Sequence, residues 1–112
     1  MDYIEIDKFN LPEAFEIDLA EETFTLTFKY NETADSFTVD LEKLDESGNL
    51  YTLVKGEKLI LNKYLWSDFM NNGFPAPALI PLDESKTENR ISWENLSEKV
   101  FLYIDDEGEP IA

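Results

Sequence analysis

The stretch "TFTLTFKYN", residues 23–31, has the most regular side-chain pattern in this sequence. Aromatic and aliphatic side chains occupy every second position from Phe24 to Tyr30, and polar side chains lie between them. Because successive side chains of a β-strand point to opposite faces, this alternation predicts a strand with one buried face and one solvated face. Strands with one buried and one solvent-exposed face are typical of antiparallel sheets.

Two neighbouring segments repeat the pattern. "AFEIDL" (residues 14–19) and "SFTVDLEKL" (residues 36–44) alternate in the same way, and each is separated from the first by a hairpin-length gap. The three segments therefore predict an antiparallel meander. The predicted core consists of Phe15, Ile17, Leu19, Phe24, Leu26, Phe28, Tyr30, Phe37, Val39, Leu41, Val100 and Leu102.

The remaining chain also favours strands. Candidates lie at residues 3–6, 50–54, 58–61 and 99–105, and "DESGN" (residues 45–49) is a turn. Three prolines within residues 74–82 predict an extended segment, at most an edge strand. We therefore predict an all-β fold, a small antiparallel barrel or sandwich of six to eight strands with one short helix. Residues 1–105 form the single β domain, and residues 106–112 form a flexible acidic tail.

The spacing changes between residues 61 and 70. Leu61, Leu65 and Phe69 recur every fourth residue, which predicts a helix of about two turns. Because Leu65 and Phe69 fill its inward stripe, the other large side chains nearby are candidates for contact with a partner protein. This predicted partner interface consists of Tyr64, Trp66, Met70, Phe74 and Pro75. Part of Trp66, Met70 and Phe74 is expected to be accessible in the isolated chain and covered in an assembly.

The net charge of −16 over 112 residues excludes one class of function. An acidic surface of this strength repels nucleic acid and anionic membranes, so the sequence predicts no direct nucleic-acid binding. The negative charge remains compatible with a role in solubility, with binding to a basic partner and with mimicry of DNA. The acidic N-terminal sequence and the lack of a long apolar run predict neither a signal peptide nor membrane insertion.

The sequence offers little catalytic chemistry. It contains no cysteine and no histidine, which removes thiolate chemistry, disulfides and the commonest metal ligands. Glu16, Asp18, Asp40 and Glu42 are expected on the solvated sheet face, but their spacing singles out no glycosidase pair. A calcium loop needs glycine at its sixth position and glutamate at its twelfth. Counted from Asp45, these positions are Leu50 and Gly56, so the turn does not fit a calcium loop. We predict no catalytic, cofactor-binding or metal-binding residue.

The meander and the segments after it resemble the baseplate plug proteins of contractile-tailed phages and related prophage elements. Two departures are Phe37, where the family often has tryptophan, and the first hairpin, where it often has glycine. The resemblance covers residues 2–105, with the turn Gly48–Asn49 and the pair Asn95–Leu96 among its later positions. The matching positions of the meander are Pro12, Phe15, Ile17, Leu19, Phe24, Leu26, Phe28, Tyr30, Asn31 and Phe37.

The resemblance implies a non-enzymatic virion protein at the hub of the tail baseplate, near the tail tube. It would be assembled in the host cytoplasm, and its partners would be other tail and baseplate proteins in a ring-like assembly. An acidic, DNA-mimicking inhibitor of a nucleic-acid-binding protein is the alternative function. A carbohydrate-active module that uses the acidic face is a third.

Overall fold

The computed structural model describes residues 2–19, 22–66 and 78–105. Over these residues the protein forms two antiparallel sheets, which pack on a shared core as a sandwich and do not close into a barrel. The all-β prediction is confirmed. The elements are β1 (Tyr3–Ile4), a 3-10 helix (Lys8–Asn10), β2 (Glu13–Leu19), β3 (Glu22–Asn31), β4 (Ser36–Leu44), β5 (Leu50–Lys58), β6 (Ala78–Asp83) and β7 (Val100–Asp105).

The larger sheet has the strand order β2-β3-β4-β5, so the predicted meander is confirmed. Its register places Leu26 opposite Leu41 and Phe28 opposite Val39, and all four side chains are fully buried. Ile17 and Tyr30 are partly buried against the core, and the side chains of Phe15 and Leu19 lie outside the described part. The other predicted core residues, all buried, are Phe24, Phe37, Val100 and Leu102.

An irregularity between β4 and β5 changes the environment of one predicted surface carboxylate. The register shifts around Leu41, and Gly56 has a φ of +75°, a conformation that glycine adopts without strain. Asp40 accepts a hydrogen bond from the Gly56 N–H at 2.7 Å and pairs with Lys29 at 3.0 Å. Asp40 is therefore buried on the polar face, where the sequence analysis expected a solvated side chain.

The smaller sheet has the order β1-β7-β6, which confirms residues 78–83 as an edge strand. Pro81 lies opposite Leu102, and its carbonyl accepts a hydrogen bond from the Asn62 N–H at 2.9 Å. The N–H and C=O of a strand residue point to the same side. The missing Pro81 N–H therefore faces away from β7, and the proline removes no bond from the ladder.

The helix predicted from the spacing of Leu61, Leu65 and Phe69 does not form over residues 61–66, which are turns and irregular backbone. Asn62 and Trp66 have φ values of +67° and +61°, outside the α-helical region. The segment bonds to both sheets instead: the Leu65 N–H to the Leu79 carbonyl at 2.9 Å, and the Trp66 N–H to Glu57 at 3.0 Å. A two-turn helix is marginal by itself, so these bonds and core burial decide the conformation.

Several core residues come from short segments outside the meander. They come from β1 and the residues after it, the connection after β5, strand β6 and the loop before β7, and they fill the space between the sheets. These buried residues are Ile4, Ile6, Leu59, Leu65, Trp66, Leu79, Ile91 and Leu96.

Replacing Phe28 by alanine tests the inward face of β3. Phe28 is fully buried, so we expect Phe28→Ala to lower the free energy of unfolding by about 3–5 kcal/mol. Phe9→Ala is the matched control: Phe9 is 78% exposed, and its truncation should change stability by under about 1 kcal/mol. Urea unfolding followed by tryptophan fluorescence measures both, and equal losses would contradict this assignment of the faces.

Candidate partner interface

The described residues provide no recognisable catalytic or metal centre. Within residues 2–19, 22–66 and 78–105, no three or more aspartates and glutamates are grouped so that they could hold a metal ion. In the same part of the chain, no helix has the length and apolar character needed to cross a membrane. The same residues expose several large apolar side chains to solvent, and these are candidates for contact with a partner protein.

The structure places the predicted interface residues differently from one another. Tyr64 is 38% exposed, whereas Trp66 is 1% exposed and belongs to the core. The expectation of an accessible Trp66 is therefore wrong, and residues 61–66 do not form the helical turn that would have directed it outward. Met70, Phe74 and Pro75 lie outside the described residues. A partner contact by these three residues and Tyr64 stays a prediction.

Asp35, in the turn between β3 and β4, anchors the loop that precedes β7. One carboxylate oxygen accepts hydrogen bonds from the Tyr30 hydroxyl at 2.7 Å and the Trp93 N–H at 2.8 Å. The other accepts one from Arg90 Nη1 at 3.1 Å, and Arg90 Nη2 donates to the Asp35 carbonyl at 2.6 Å. One side chain therefore connects the larger sheet to the loop carrying Trp93.

This arrangement favours the ionised form of Asp35. The hydrogen bond from Tyr30, followed by those from the Trp93 N–H and Arg90, lowers the pKa of Asp35 below its usual value. The same hydrogen bond raises the pKa of Tyr30, because the phenol donates to a negative group. The pair thus holds the proton on the phenol and the charge on the carboxylate, which suits a structural anchor.

Asn95 organises the same loop from within. Its Nδ2 donates to Glu88 and to the Arg90 carbonyl, and its Oδ1 accepts from the Ser92 N–H, each at 2.8 Å. Only a side chain with both donors and an acceptor can make this set of bonds. The neighbouring Leu96 is fully buried. The Asn95–Leu96 pair, through which the sequence resembles plug proteins, is thus a fold-forming element.

Asp83, at the end of β6, is buried, but its carboxylate serves its own loop. It accepts hydrogen bonds from the Ser85 hydroxyl and from the backbone N–H groups of Ser85, Thr87 and Glu88. The Ser85 hydroxyl contributes most to lowering the pKa of Asp83 far below its usual range, and burial opposes this shift. A carboxylate held in its charged form by loop contacts is unsuited to act as a general acid.

Trp93 links the anchored loop to the most exposed large apolar side chain of the described residues. Its ring packs against Tyr30 at 4.8 Å and is nearly parallel to Phe37 at 6.2 Å, both measured between ring centroids. Phe9 meets Trp93 edge-on at 5.5 Å and is 78% exposed. Together with the adjacent Leu11 and Pro12, these rings form what we call the Phe9 surface: Phe9, Leu11, Pro12, Tyr30 and Trp93.

The Phe9 surface has no clear signal in the sequence. Phe9 stands between Lys8 and Asn10, outside any alternating or helical pattern. An isolated phenylalanine between polar residues was the only available signal, and it does not show whether the side chain is buried. Other exposed apolar side chains lie at the β4–β5 hairpin end, namely Leu44, Leu50 and Tyr51.

Over the described residues, the fold defines the chain as a small all-β domain of two antiparallel sheets. Residues 1–107 match a family model described as the cyanophage baseplate Pam3 plug gp18. Because the match covers nearly the whole chain, this chain belongs to that family of phage baseplate plug proteins, and the resemblance noted in the sequence is confirmed. A search of curated proteins finds no match.

The Asp35 anchor predicts a specific pH dependence. The folded-state pKa of Asp35 is lowered from 3.8, so its carboxylate contributes stability that is complete above pH 3.8 and is lost as the pH falls through the folded-state value. Asp35→Asn should therefore be less stable than the wild type near pH 7, and the difference should shrink toward about pH 2.

Urea unfolding of both proteins across this range measures the difference. Acid also relieves the repulsion among the other carboxylates, and this changes the stability of both proteins. The difference between Asp35→Asn and the wild type at each pH removes that shared effect. Glu46→Gln, an exposed substitution in the β4–β5 turn, is the control. A difference between Asp35→Asn and wild type that is independent of pH would contradict a stabilising charge at Asp35.

Proposed function

We propose that the chain is a non-enzymatic structural protein that assembles as a plug or hub component of a phage baseplate, near the tail tube. The observation that carries the proposal is the family match over residues 1–107. The contacts of the described carboxylates support it, since Asp35, Asp40 and Asp83 stabilise loops and bulges. Exposed apolar side chains such as Phe9 support a role in protein contacts.

In this proposal the partners are other tail and baseplate proteins arranged in a ring-like assembly in the virion, built in the host cytoplasm without membrane insertion. Two strands of the larger sheet could contribute to such contacts, because β2 and β5 are its edges. An edge strand has backbone N–H and C=O groups that a neighbouring chain can bond. The acidic residues on β2 and the bulge on β5 limit indiscriminate pairing.

Affinity capture from cells infected with the phage that encodes this chain tests the proposal. We expect the tagged wild-type chain to retain baseplate and tail proteins, because a plug is held by its neighbours in the assembly. The tag alone is the control. Recovery of a nuclease or a polymerase without tail proteins would favour the alternative, an acidic DNA-mimicking inhibitor, for which the charge of −16 is the supporting observation.

The proposed role also implies that the chain does not bind DNA directly, even at a position near the tail tube. At a net charge of −16, with 9 lysines and arginines against 25 aspartates and glutamates, approach to phosphate is repulsive. We expect no mobility shift of duplex DNA with micromolar protein in about 0.1 M salt without divalent ions. A clear shift under these conditions would overturn the implication.

A further inference from the structure

We propose that the Phe9 surface is a docking site for a protein partner that offers an apolar pocket bordered by lysine or arginine side chains. The inference rests on the proposed function in one respect: the partner is sought among the baseplate and tail proteins of the same phage. It is carried by the way in which the fold presents Phe9 and by the charges around it.

The backbone at Phe9 is held in a defined conformation. Asp7 caps the 3-10 helix Lys8–Asn10, since its carboxylate accepts a hydrogen bond from the Phe9 N–H at 3.1 Å. The Asp7 carbonyl accepts another from the Asn10 N–H at 3.0 Å, and the Asp7 N–H donates to Glu13 at 3.2 Å. Phe9 thus projects from a closed turn that is attached to β2.

Lys8 fixes the same turn to Trp93. Its side chain is only 5% exposed, and its ammonium group donates a hydrogen bond to the Trp93 carbonyl. The ammonium nitrogen lies 5.3 Å from the Trp93 ring centroid and 5.8 Å from that of Phe9, within cation–π range of both. Burial of an ammonium group is unfavourable by itself, and these contacts offset its cost. They also join the 3-10 helix and the Trp93 ring into one unit.

The base of this unit is also fixed. The Trp93 N–H is bonded to Asp35, and the Trp93 ring packs on Tyr30 and Phe37 of the larger sheet. Phe9 is therefore an exposed ring on an ordered aromatic base. A rigid aromatic side chain loses little conformational entropy on binding, which is the property of aromatic anchors in protein interfaces.

The charges around the Phe9 surface determine the chemistry of the partner. Glu32 and Glu94 border Tyr30 and Trp93 and are both exposed, and Asp7 and Glu13 lie at the base of the turn. Among the described residues, two exposed cations border this surface, and each is paired with a carboxylate: Lys29 with Asp40, and Arg90 with Asp35. The rim is therefore negative around an apolar centre, and a complementary partner surface is basic around an apolar pocket.

The same rim argues against other occupants. A second copy of this chain would bring identical negative groups into contact, and like charges at a contact are unfavourable. Anionic membranes and nucleic acid are repelled for the same reason. A basic-rimmed protein pocket satisfies both the exposed ring and its surrounding carboxylates.

The test measures binding of the purified chain to each purified baseplate and tail protein encoded with it, by isothermal titration calorimetry. For the protein that binds the wild type, we expect Phe9→Ser to weaken binding by about tenfold or more, as truncation of an anchor residue does. Phe9→Leu should retain most of the affinity. Tyr51→Ser, at a distant exposed position, is the matched control and should leave affinity within about twofold.

Charge reversal on the rim tests the basic character of the partner. The double variant Glu32→Lys/Glu94→Lys, with Phe9 intact, should weaken binding and make the affinity less sensitive to salt. Thermal unfolding of each variant checks that the fold is retained. If Phe9→Ser does not fold, the rim variant tests the proposal in its place. Unchanged affinity and unchanged salt dependence in the rim variant would overturn the proposal.

The outcomes separate this inference from the proposed function. Binding of a baseplate protein that is unchanged by Phe9→Ser overturns the inference and leaves the assembly role standing. Loss of binding in Tyr64→Ser alone also overturns it and assigns the contact to the segment predicted from the sequence. Failure of the wild type to bind any of these proteins overturns both.

Discussion

The packing of the inward face of β3 in the core between the two sheets determines where the other strands and loops lie. β3 has neighbours on both sides, and Phe24, Leu26 and Phe28 are almost fully buried. A shift in pairing by one residue would move these side chains to the solvent face, so their alternation fixes the register of the larger sheet. The smaller sheet, the connection after β5 and the loop before β7 then cover this face.

The polar chemistry of the chain is directed toward its own loops. Asp35 orders the loop that contains Trp93, Asp40 supports the bulge at Gly56, and Asp83 closes the loop after β6. Each carboxylate accepts bonds from nearby backbone N–H groups, which favours its charged form. This use of acidic residues agrees with membership of a baseplate plug family, whose members are structural. It also explains how a chain of such high negative charge retains ordered loops.

Much of the fold was predictable because it depends on local patterns. Alternation identified β2, β3 and β4, proline content identified β6 as an edge strand, and "DESGN" marked the β4–β5 turn, where Asp45 accepts bonds from the Ser47 and Asn49 N–H groups. The helix predicted from the spacing of Leu61 and Leu65 is absent over residues 61–66, because the same spacing also arises when a segment lies across two sheets. The Phe9 surface was missed because exposure depends on which residues the fold brings beside it.

The all-β class, the faces of the meander and the acidic character of the chain follow from side-chain order and composition, so they can be predicted without a structure. The burial of Trp66, the covering of Asp40 and the position of Phe9 beside Trp93 cannot. These outcomes depend on contacts between residues far apart in the chain, such as Lys8 with Trp93 and Asp35 with Trp93. Local periodicity specifies which face a side chain takes, and long-range packing specifies what covers that face.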